Sequence, residues 1–307
     1  MNLSSKFLGI KMVNPLVLAS GILGVTGSNL AAVCRDGCGA ATTKSIWLHF
    51  HAGHPNPTVL HLGNGNLINA VGLPHGGIEE AKVEIESFRK LSKSPLFASI
   101  AGSRLEEYAA TVEAVAKLKP DLIELNISCP NVEDEFGKPF ACDVNLSAEA
   151  TKLAKARCGK TPLAVKLSPN VANIAQIAKA VEAAGADAIV AINTVGPGMV
   201  IDIETAQPIL ANRVGGLSGP AVKPIAVKAV YDIYKAVKIP IIGVGGISNG
   251  RDAIEIMQAG AALVGVGSAV VDGGSKVFGK IAKEMEAWCK QHEIKNISEV
   301  IGLAHRN

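Results

Sequence analysis

The residues with the clearest capacity for chemistry lie in one short stretch, 122–131, which reads LIELNISCPN. Side chains alternate between the two faces of a strand, so Glu124, Asn126 and Ser128 are expected to share one face and aliphatic residues the other. Cys129 follows at the point where the strand opens into a loop. A thiol acts as a base only as its thiolate, and nearby cations lower its pKa from about 8.5. A lone cysteine is more often inert packing, but this position favours Cys129 as a catalytic base.

Two lysines, Lys44 and Lys166, interrupt apolar segments that have the pattern of strands. A lysine that points into a protein interior must be paired or must serve a ligand, because burying an unpaired ammonium costs several kcal/mol. Either side chain could instead point outward and keep its charge in water. Two such lysines near strand ends favour a shared anionic ligand. The carboxamides of Asn69, Asn126 and Asn193 can donate and accept hydrogen bonds, which suits a planar, polar heterocycle.

Glycine-rich turns follow two late apolar runs, GVGG at 243–246 and GVGS at 265–268. Glycine lets backbone N–H groups approach an anion closely. Barrel enzymes frequently bind phosphate with the loops after their seventh and eighth strands and the N-terminus of a following helix. These turns therefore predict a phosphate-bearing ligand. The alternative, that the glycines serve only the tight turns, stays open.

The scaffold that would bring these residues together is indicated by eight short apolar runs, each followed by a segment with helical periodicity. The runs lie at 16–20, 41–46, 96–101, 122–128, 163–168, 188–194, 239–246 and 263–269, and helical spacing is clearest at 150–157, 174–184 and 254–259. This alternation predicts an α/β fold, a closed (β/α)8 TIM barrel. A doubly wound open sheet is the competing architecture, but LVLASGILGVTG at 16–27 lacks the GxGxxG spacing.

Segments outside this rhythm also carry information. Residues 6–15 predict an N-terminal hairpin ahead of the barrel. Two connections, 47–77 and 195–219, are too long for plain turns, and long irregular loops after strand ends are usually functional. No linker or internal repeat divides the chain. We therefore expect a single barrel domain over 1–307 with long insertions after barrel strands.

Composition narrows the function classes. The chain has 307 residues, of which 48% are hydrophobic and 4% aromatic, and a formal net charge of +3. No dense Lys/Arg run indicates a nucleic-acid partner. Apolar stretches end well before the roughly 18 residues of a membrane-spanning helix, and the start lacks the apolar core of a signal peptide. We expect a soluble, cytoplasmic protein without a membrane or nucleic-acid partner.

Two groups of residues have side chains that could bind a metal. Cys34 and Cys38 are four residues apart, but two thiols without further ligands make a poor zinc site, and buried packing is the favoured role. His49, His51 and His54 cluster without an Asp, Glu or Cys among them. We expect this histidine segment to line the mouth of the site rather than to bind a metal.

Several motifs resemble those of class 1 dihydroorotate dehydrogenases, specifically the B subtype, over nearly the whole chain. ELNISCPN at 124–131, VKLSPNV at 165–171 and GGLSGPA within 207–224 are the specific ones. Further matches are NPLVLASG at 14–21, NAVGLPHGG at 69–77, AINT at 191–194, IPIIGVGG at 239–246 and VGVGSA at 264–269.

The resemblance implies an FMN-dependent barrel that oxidises (S)-dihydroorotate to orotate in pyrimidine biosynthesis. It implies catalytic roles for Cys129, which takes the C5 proton while hydride leaves C6 for the flavin N5, and for Lys44. The implied substrate contacts are Lys44, Asn69, Ala70, Val71, Gly72, Leu73, Asn126, Asn193 and Thr194. The implied flavin contacts are Ser20, Lys44, Ser45, Ser99, Asn126, Lys166, Ile192, Gly219, Gly245, Gly246, Gly267 and Ser268.

Two features depart from the family pattern. Ser99 stands where relatives usually have asparagine. After Asn131 the chain reads VEDEFGKPFACDVN, where B-subtype relatives commonly have a Gly-rich segment leading to FGTDPE. The FACD part resembles ACGQD in the flavin domain of dihydropyrimidine dehydrogenase. Oxidation or reduction of another dihydropyrimidine is therefore the alternative function.

B-subtype relatives pair with a second subunit that carries FAD and a 2Fe-2S cluster and passes electrons to NAD. This sequence has no cysteine cluster for an iron-sulfur centre and no dinucleotide fingerprint. The resemblance thus implies a homodimer, or a heterotetramer with an electron-transfer subunit, and an NAD link only through that partner. The competing classes are a tRNA dihydrouridine synthase, which would need a basic face or RNA-binding domain, and a non-enzymatic binding barrel.

Overall fold

The computed structural model describes residues 2–128 and 140–306, and its centre is a closed barrel of eight parallel strands. The strands are β1 (Leu16–Leu18), β2 (Ala40–Thr42), β3 (Leu96–Ile100), β4 (Leu122–Asn126), β5 (Leu163–Leu167), β6 (Ala188–Ala191), β7 (Ile241–Val244) and β8 (Leu263–Val266). Each pairs with its neighbour in chain order, and β8 closes on β1. The prediction of a (β/α)8 barrel is confirmed, and every strand lies within or at the edge of a predicted apolar run.

Helices cover the outer face of the barrel. They are α1 (Gly27–Arg35), α2 (Ile78–Leu91), α3 (Leu105–Lys117), α4 (Val144–Arg157), α5 (Ile174–Ala183), α6 (Lys223–Ala236), α7 (Gly250–Gln258), α8 (Ala269–Gly273) and α9 (Val277–Gln291). Helix α5 illustrates the local cause: Asn173 caps its start, and buried Ile174, Ile177 and Val181 recur at the spacing of one helical face. The helical periodicity in the sequence therefore marked real elements.

The predicted N-terminal hairpin is present and closes the amino end of the barrel. Strands Ser5–Phe7 and Ile10–Met12 pair antiparallel. The side chains of Phe7 and Met12 are buried in one cluster with interior residues of the barrel strands, among them Phe97 and Leu122. Because apolar side chains fill this end, it is a packed floor rather than an opening.

The two long connections are more regular than the loops expected from sequence. They contribute four strands to one antiparallel sheet, the insertion sheet: Val59–Gly63, Asn66–Asn69, Val195–Gly198 and Gly215–Ser218. Its central pairing sets Asn69 opposite Gly216 and Ile68 opposite Leu217. The second connection also contains two antiparallel strands of two residues each, Ile201–Asp202 and Gln207–Pro208. Connections more than a hundred residues apart are thus joined above the barrel.

Short 3-10 helices complete the fold at Phe140–Cys142, Pro220–Val222, Ile297–Val300 and Leu303–His305. Within the described part of the chain, no helix is both long enough and apolar enough to cross a membrane.

Candidate active site

A cavity of about 290 Å³ opens at the carboxyl ends of the barrel strands and is partly covered by the insertion sheet. Such a volume lies near the lower end of the range for small-molecule sites. The predicted site residues that line it are Ser20, Lys44, Ser45, Asn69, Val71, Gly72, Leu73, Asn126, Lys166, Ile192, Asn193, Thr194, Gly219, Gly245, Gly246, Gly267 and Ser268. The fold therefore brings residues from all parts of the chain to one place.

Two of the predicted residues that the structure describes, Ala70 and Ser99, do not belong to that lining. Cys129 lies outside the residues that the structure describes. Ala70 is buried in a small apolar cluster with Ile68 and Leu210, so it supports the insertion sheet. Ser99 is fully buried behind Ser45, with the two hydroxyl oxygens 3.0 Å apart. Ser99 can therefore reach a ligand only through Ser45.

Lys166 projects from β5 into the barrel interior, next to Asn126 on the neighbouring strand. It is buried, and its Nζ donates a hydrogen bond to Ser20 Oγ at 2.9 Å. The nearest carboxyl oxygen in its ion pair, Glu124 Oε1, is 3.9 Å away. Lys166 thus places an ammonium at the cavity wall without a close contact to any carboxylate of the described residues.

Lys44 is the second cation of the cavity and follows β2. Burial lowers the pKa of its ammonium from the ordinary value, and Glu80 partly opposes that shift. Among the described residues, no carboxylate lies within ion-pair distance of Lys44 Nζ, and the cavity lining contains no Asp or Glu. The two lysines therefore give the lining a positive character that suits an anionic ligand.

A continuous chain of side-chain hydrogen bonds, here called the amide chain, crosses the base of the cavity. Asn193 Nδ2 donates to Ser128 Oγ at 2.9 Å, and the Ser128 hydroxyl donates to Asn126 Oδ1 at 3.0 Å. Asn126 Nδ2 then donates to Ser45 Oγ at 3.0 Å, and Ser45 meets Ser99. The sequence placed Ser128 on the polar face of its strand but carried no signal for the contact with Asn193, 65 residues away.

The direction of these bonds determines what the two carboxamides offer to a ligand. The carbonyl oxygen of Asn126 accepts from Ser128, and that of Asn193 accepts from the backbone N–H of Thr194 at 2.8 Å. Each amide nitrogen uses one of its two hydrogens in the chain. Both side chains are therefore left with an N–H donor, which suits a ligand with carbonyl or carboxylate oxygens.

Segment 69–73 is held by Trp47, for which the sequence carried no signal, and Trp47 in turn packs on His51 of the histidine segment. Trp47 Nε1 donates to the carbonyl of Leu73 at 2.9 Å, and its ring stacks on His51 with centroids 4.1 Å apart. His51 exchanges backbone hydrogen bonds with His75. Burial lowers the pKa of both His51 and His75 below the ordinary histidine value. Neutral rings are thus favoured here, which suits packing behind the cavity wall.

No group of three or more metal-ligating side chains occurs within 2–128 and 140–306. Cys34 is partly buried and Cys38 fully buried, and burial raises the pKa of both thiols. A raised pKa disfavours the thiolate that metal ions require. His54 Nδ1 lies 3.1 Å from the carbonyl oxygen of Ala70, a contact to the main chain of the insertion sheet.

The glycine turns after β7 and β8 lie in the cavity wall. Gly245 and Gly246 have φ of +136° and +73°, which side-chain-bearing residues rarely adopt. A Cβ on Gly246 would approach Lys223 N to 2.8 Å. A Cβ on Gly21, by contrast, would meet nothing within 4 Å. The helix directly after β8, α8, has only five residues, so exposed turn backbone is the main feature available to a phosphate here.

A closed parallel barrel with a cationic, glycine-walled cavity at its carboxyl end is the arrangement of TIM-barrel enzymes that bind phosphorylated ligands. Comparison with known proteins refines that class. The family model described as dihydroorotate dehydrogenase matches residues 2–288. The chain therefore belongs to the dihydroorotate dehydrogenase family, which confirms the resemblance inferred from its motifs.

Curated relatives extend over nearly the whole chain. A protein of Methanosarcina mazei is 47% identical over 298 residues, which are 97% of this chain and 93% of the relative. One of Methanocaldococcus jannaschii is 44% identical over 306 residues, with 99% and 98% covered. One of Geobacter sp. is 42% identical over 297 residues, with 96% and 95% covered. Each of these relatives is named dihydroorotate dehydrogenase B (NAD(+)), catalytic subunit.

Proposed function

We propose that this chain is an FMN-dependent dihydroorotate dehydrogenase of the B subtype, which oxidises (S)-dihydroorotate to orotate in pyrimidine biosynthesis. The observation that carries the proposal is one cavity in which two lysines face amide N–H donors and glycine turns, with no Asp or Glu among the described lining residues. Orotate and FMN are both planar and anionic, so this lining fits both. Family membership supplies the reaction class.

FMN would be held by the glycine turns and by Lys166. The turn backbone at Gly245, Gly246 and Gly267 suits the phosphate, because glycine leaves the N–H groups open to close approach. Lys166, fixed by Ser20, would face the negative charge of the reduced ring. FMN, when bound, would supply the acceptor for the hydride from C6 of the substrate, a function that no side chain provides.

The substrate would lie against the amide chain. Asn126 and Asn193 offer N–H donors to carbonyl oxygens, and Lys44 offers a cation to the substrate anion. Cys129 follows directly after Ser128 in the chain, and we propose that its thiolate removes the C5 proton. A cation close to a thiol favours the thiolate, which would make such a base available near neutral pH.

We propose further that electrons leave through a separate subunit that carries FAD and a 2Fe-2S cluster and reduces NAD. The relatives are named as NAD(+)-linked catalytic subunits, which supports a partner. Two copies of this barrel, or two with two partner subunits, would form the assembly. We place the enzyme in the cytoplasm and treat 1–307 as one FMN-binding domain.

Flavin bleaching under anaerobic conditions tests the substrate. The purified chain, loaded with FMN, is mixed with dihydroorotate or with dihydrouracil, and the flavin absorbance is followed. We expect bleaching with dihydroorotate only. Bleaching by dihydrouracil alone would move the assignment to the dihydropyrimidine alternative, and yellow protein that neither compound reduces would leave only a flavin-binding barrel.

The Cys129→Ser variant tests the proposed base. A serine hydroxyl is a far poorer base than a thiolate, so flavin reduction at neutral pH should slow by orders of magnitude while FMN stays bound. Cys158→Ser is the matched control, because it changes a buried thiol at the end of α4 that is not part of the cavity lining. Equal reduction rates in the Cys129 variant and the unchanged protein would remove Cys129 from this role.

The electron acceptor requires a separate assay. The chain is purified with and without the products of neighbouring genes, and NAD reduction by dihydroorotate is measured for both preparations. NAD reduction only in the presence of a co-purified flavin and iron-sulfur protein is the expected result. Full NAD-linked activity of the barrel alone would contradict the proposed partner.

A further inference from the structure

Glu124 is a buried carboxyl for which the proposed reaction has no use. It lies in the middle of β4, points into the barrel interior and is 5% exposed. Among the described residues, its Oε1 atom has no hydrogen-bond partner. The nearest cation is Lys166, equally buried, with Nζ at 3.9 Å from that oxygen. An acid thus stands directly behind the lysine that faces the cavity.

Stability does not explain this pair. Barrel interiors are usually filled by branched apolar side chains. A buried ion pair is often no more stabilising than apolar residues of the same volume, because desolvation offsets the attraction. At 3.9 Å the contact is longer than a hydrogen bond, and the ammonium instead donates to Ser20. The carboxyl therefore contributes negative charge near Lys166 rather than an oriented contact.

We propose that Glu124 lowers the reduction potential of the flavin by offsetting the positive charge of Lys166. The inference rests on the proposed function, because it takes FMN as the ligand of the cavity. Lys44 and Lys166 together favour negative charge in the cavity, and reduction adds such charge to the ligand. A counter-charge behind one of them weakens that preference. A lower potential in turn favours passing the electrons to a second subunit. Glu124 is a positioning residue, since it acts through Lys166 and is not in the cavity lining.

The Glu124→Gln variant tests the charge directly. Apoprotein is titrated with oxidised FMN and, anaerobically, with chemically reduced FMN, and the ratio of the two dissociation constants is compared with that of the unchanged protein. We expect the variant to shift the ratio in favour of reduced FMN about tenfold, equivalent to about 30 mV for a two-electron couple. The control is Glu86→Gln, which removes the same charge from an exposed position in α2 and should leave the ratio unchanged.

A stability comparison of apoprotein tests the pairing without flavin. Lys166→Met leaves the Glu124 carboxyl without its cation, so the melting temperature should fall. Adding Glu124→Gln should recover part of that loss, because the unpaired buried charge is removed. If Glu124→Gln alone fails to fold, this double variant still tests the pairing of Glu124 with Lys166. A double variant that melts no higher than Lys166→Met would overturn the pairing.

The outcomes separate this inference from the proposed function. If the unchanged apoprotein binds no FMN, the proposed function and the inference both fail. If FMN binds and dihydroorotate bleaches it, but Glu124→Gln leaves the ratio unchanged or shifts it toward oxidised FMN, only the role of Glu124 is refuted.

Discussion

The two ends of the barrel interior differ sharply although the same strands build both. At the amino end, Phe97 and Leu122 pack against the hairpin residue Phe7 and leave no opening. At the carboxyl end, Asn126 and Lys166 face a cavity. Strand β4 passes from Leu122 through Glu124 to Asn126 on one face within five residues. Depth along a strand, rather than the face alone, thus separates residues that stabilise the fold from those that serve a ligand.

The largest expected effect comes from opening the packed end. Phe97→Ala should lower the free energy of unfolding by about 3–5 kcal/mol, because a large aromatic side chain is removed from a site that cannot collapse. Urea unfolding of the apoprotein measures the change. FMN bound per folded molecule should stay the same, since Phe97 is not one of the residues that line the cavity.

The matched control for Phe97→Ala is Phe50→Ala, where the side chain is 76% exposed. Its unfolding free energy should stay within about 0.5 kcal/mol of the unchanged protein. If Phe97→Ala instead abolished FMN binding in protein that remains folded, the packed amino end would not be independent of the ligand cavity.

At the polar end, Ser128→Ala should weaken catalysis more than stability. The change leaves Asn193 Nδ2 and Asn126 Oδ1 without the hydroxyl that links them, so each carboxamide loses one of the hydrogen bonds that orient it. We expect kcat/KM for dihydroorotate to fall about tenfold, mainly through KM, which corresponds to about 1.4 kcal/mol. Steady-state kinetics with an artificial electron acceptor provides the measurement.

Thr111→Val is the control for Ser128→Ala, because it removes an equally buried hydroxyl that bonds the Glu107 carbonyl within α3. Its KM should equal that of the unchanged protein. An equal rise of KM in both variants would indicate a general loss of packing and would contradict a specific role of the amide chain.

The smallest effect is expected from pH. Burial lowers the pKa of Lys44 from the ordinary 10.5, so as pH rises its positive charge is lost earlier than that of an exposed lysine. KM for the anionic substrate should therefore be lowest while Lys44 is protonated and should rise as pH passes through the lowered pKa. KM measured at a series of alkaline pH values below 10.5 tests this.

Lys44→Arg gives the comparison for that pH series, since arginine keeps its charge throughout. The alkaline rise in KM should disappear in this variant, even if KM is higher overall because the guanidinium has a different shape. A rise of the same size and position in both proteins would assign it to another group.

Local patterns in the sequence were sufficient for the elements and for much of the site. Apolar runs alternating with helical periodicity predicted the barrel, because both patterns report which face of an element is buried. The alternation in LIELNIS placed Glu124 and Asn126 inside, and the structure has Ile123 and Leu125 in one buried cluster with residues of the surrounding helices, such as Val112. The glycine turns predicted which strand ends border the cavity.

Only the tertiary structure decided which of these residues meet. The insertion strands that pair Asn69 with Gly216, the contact of Ser128 with Asn193, and the position of Glu124 behind Lys166 all depend on closing the barrel. Periodicity reports burial one element at a time and carries no information on distances between elements far apart in the chain. Chain closure brings those elements together, so the hydrogen bonds and charges that shape the cavity became visible only in the fold.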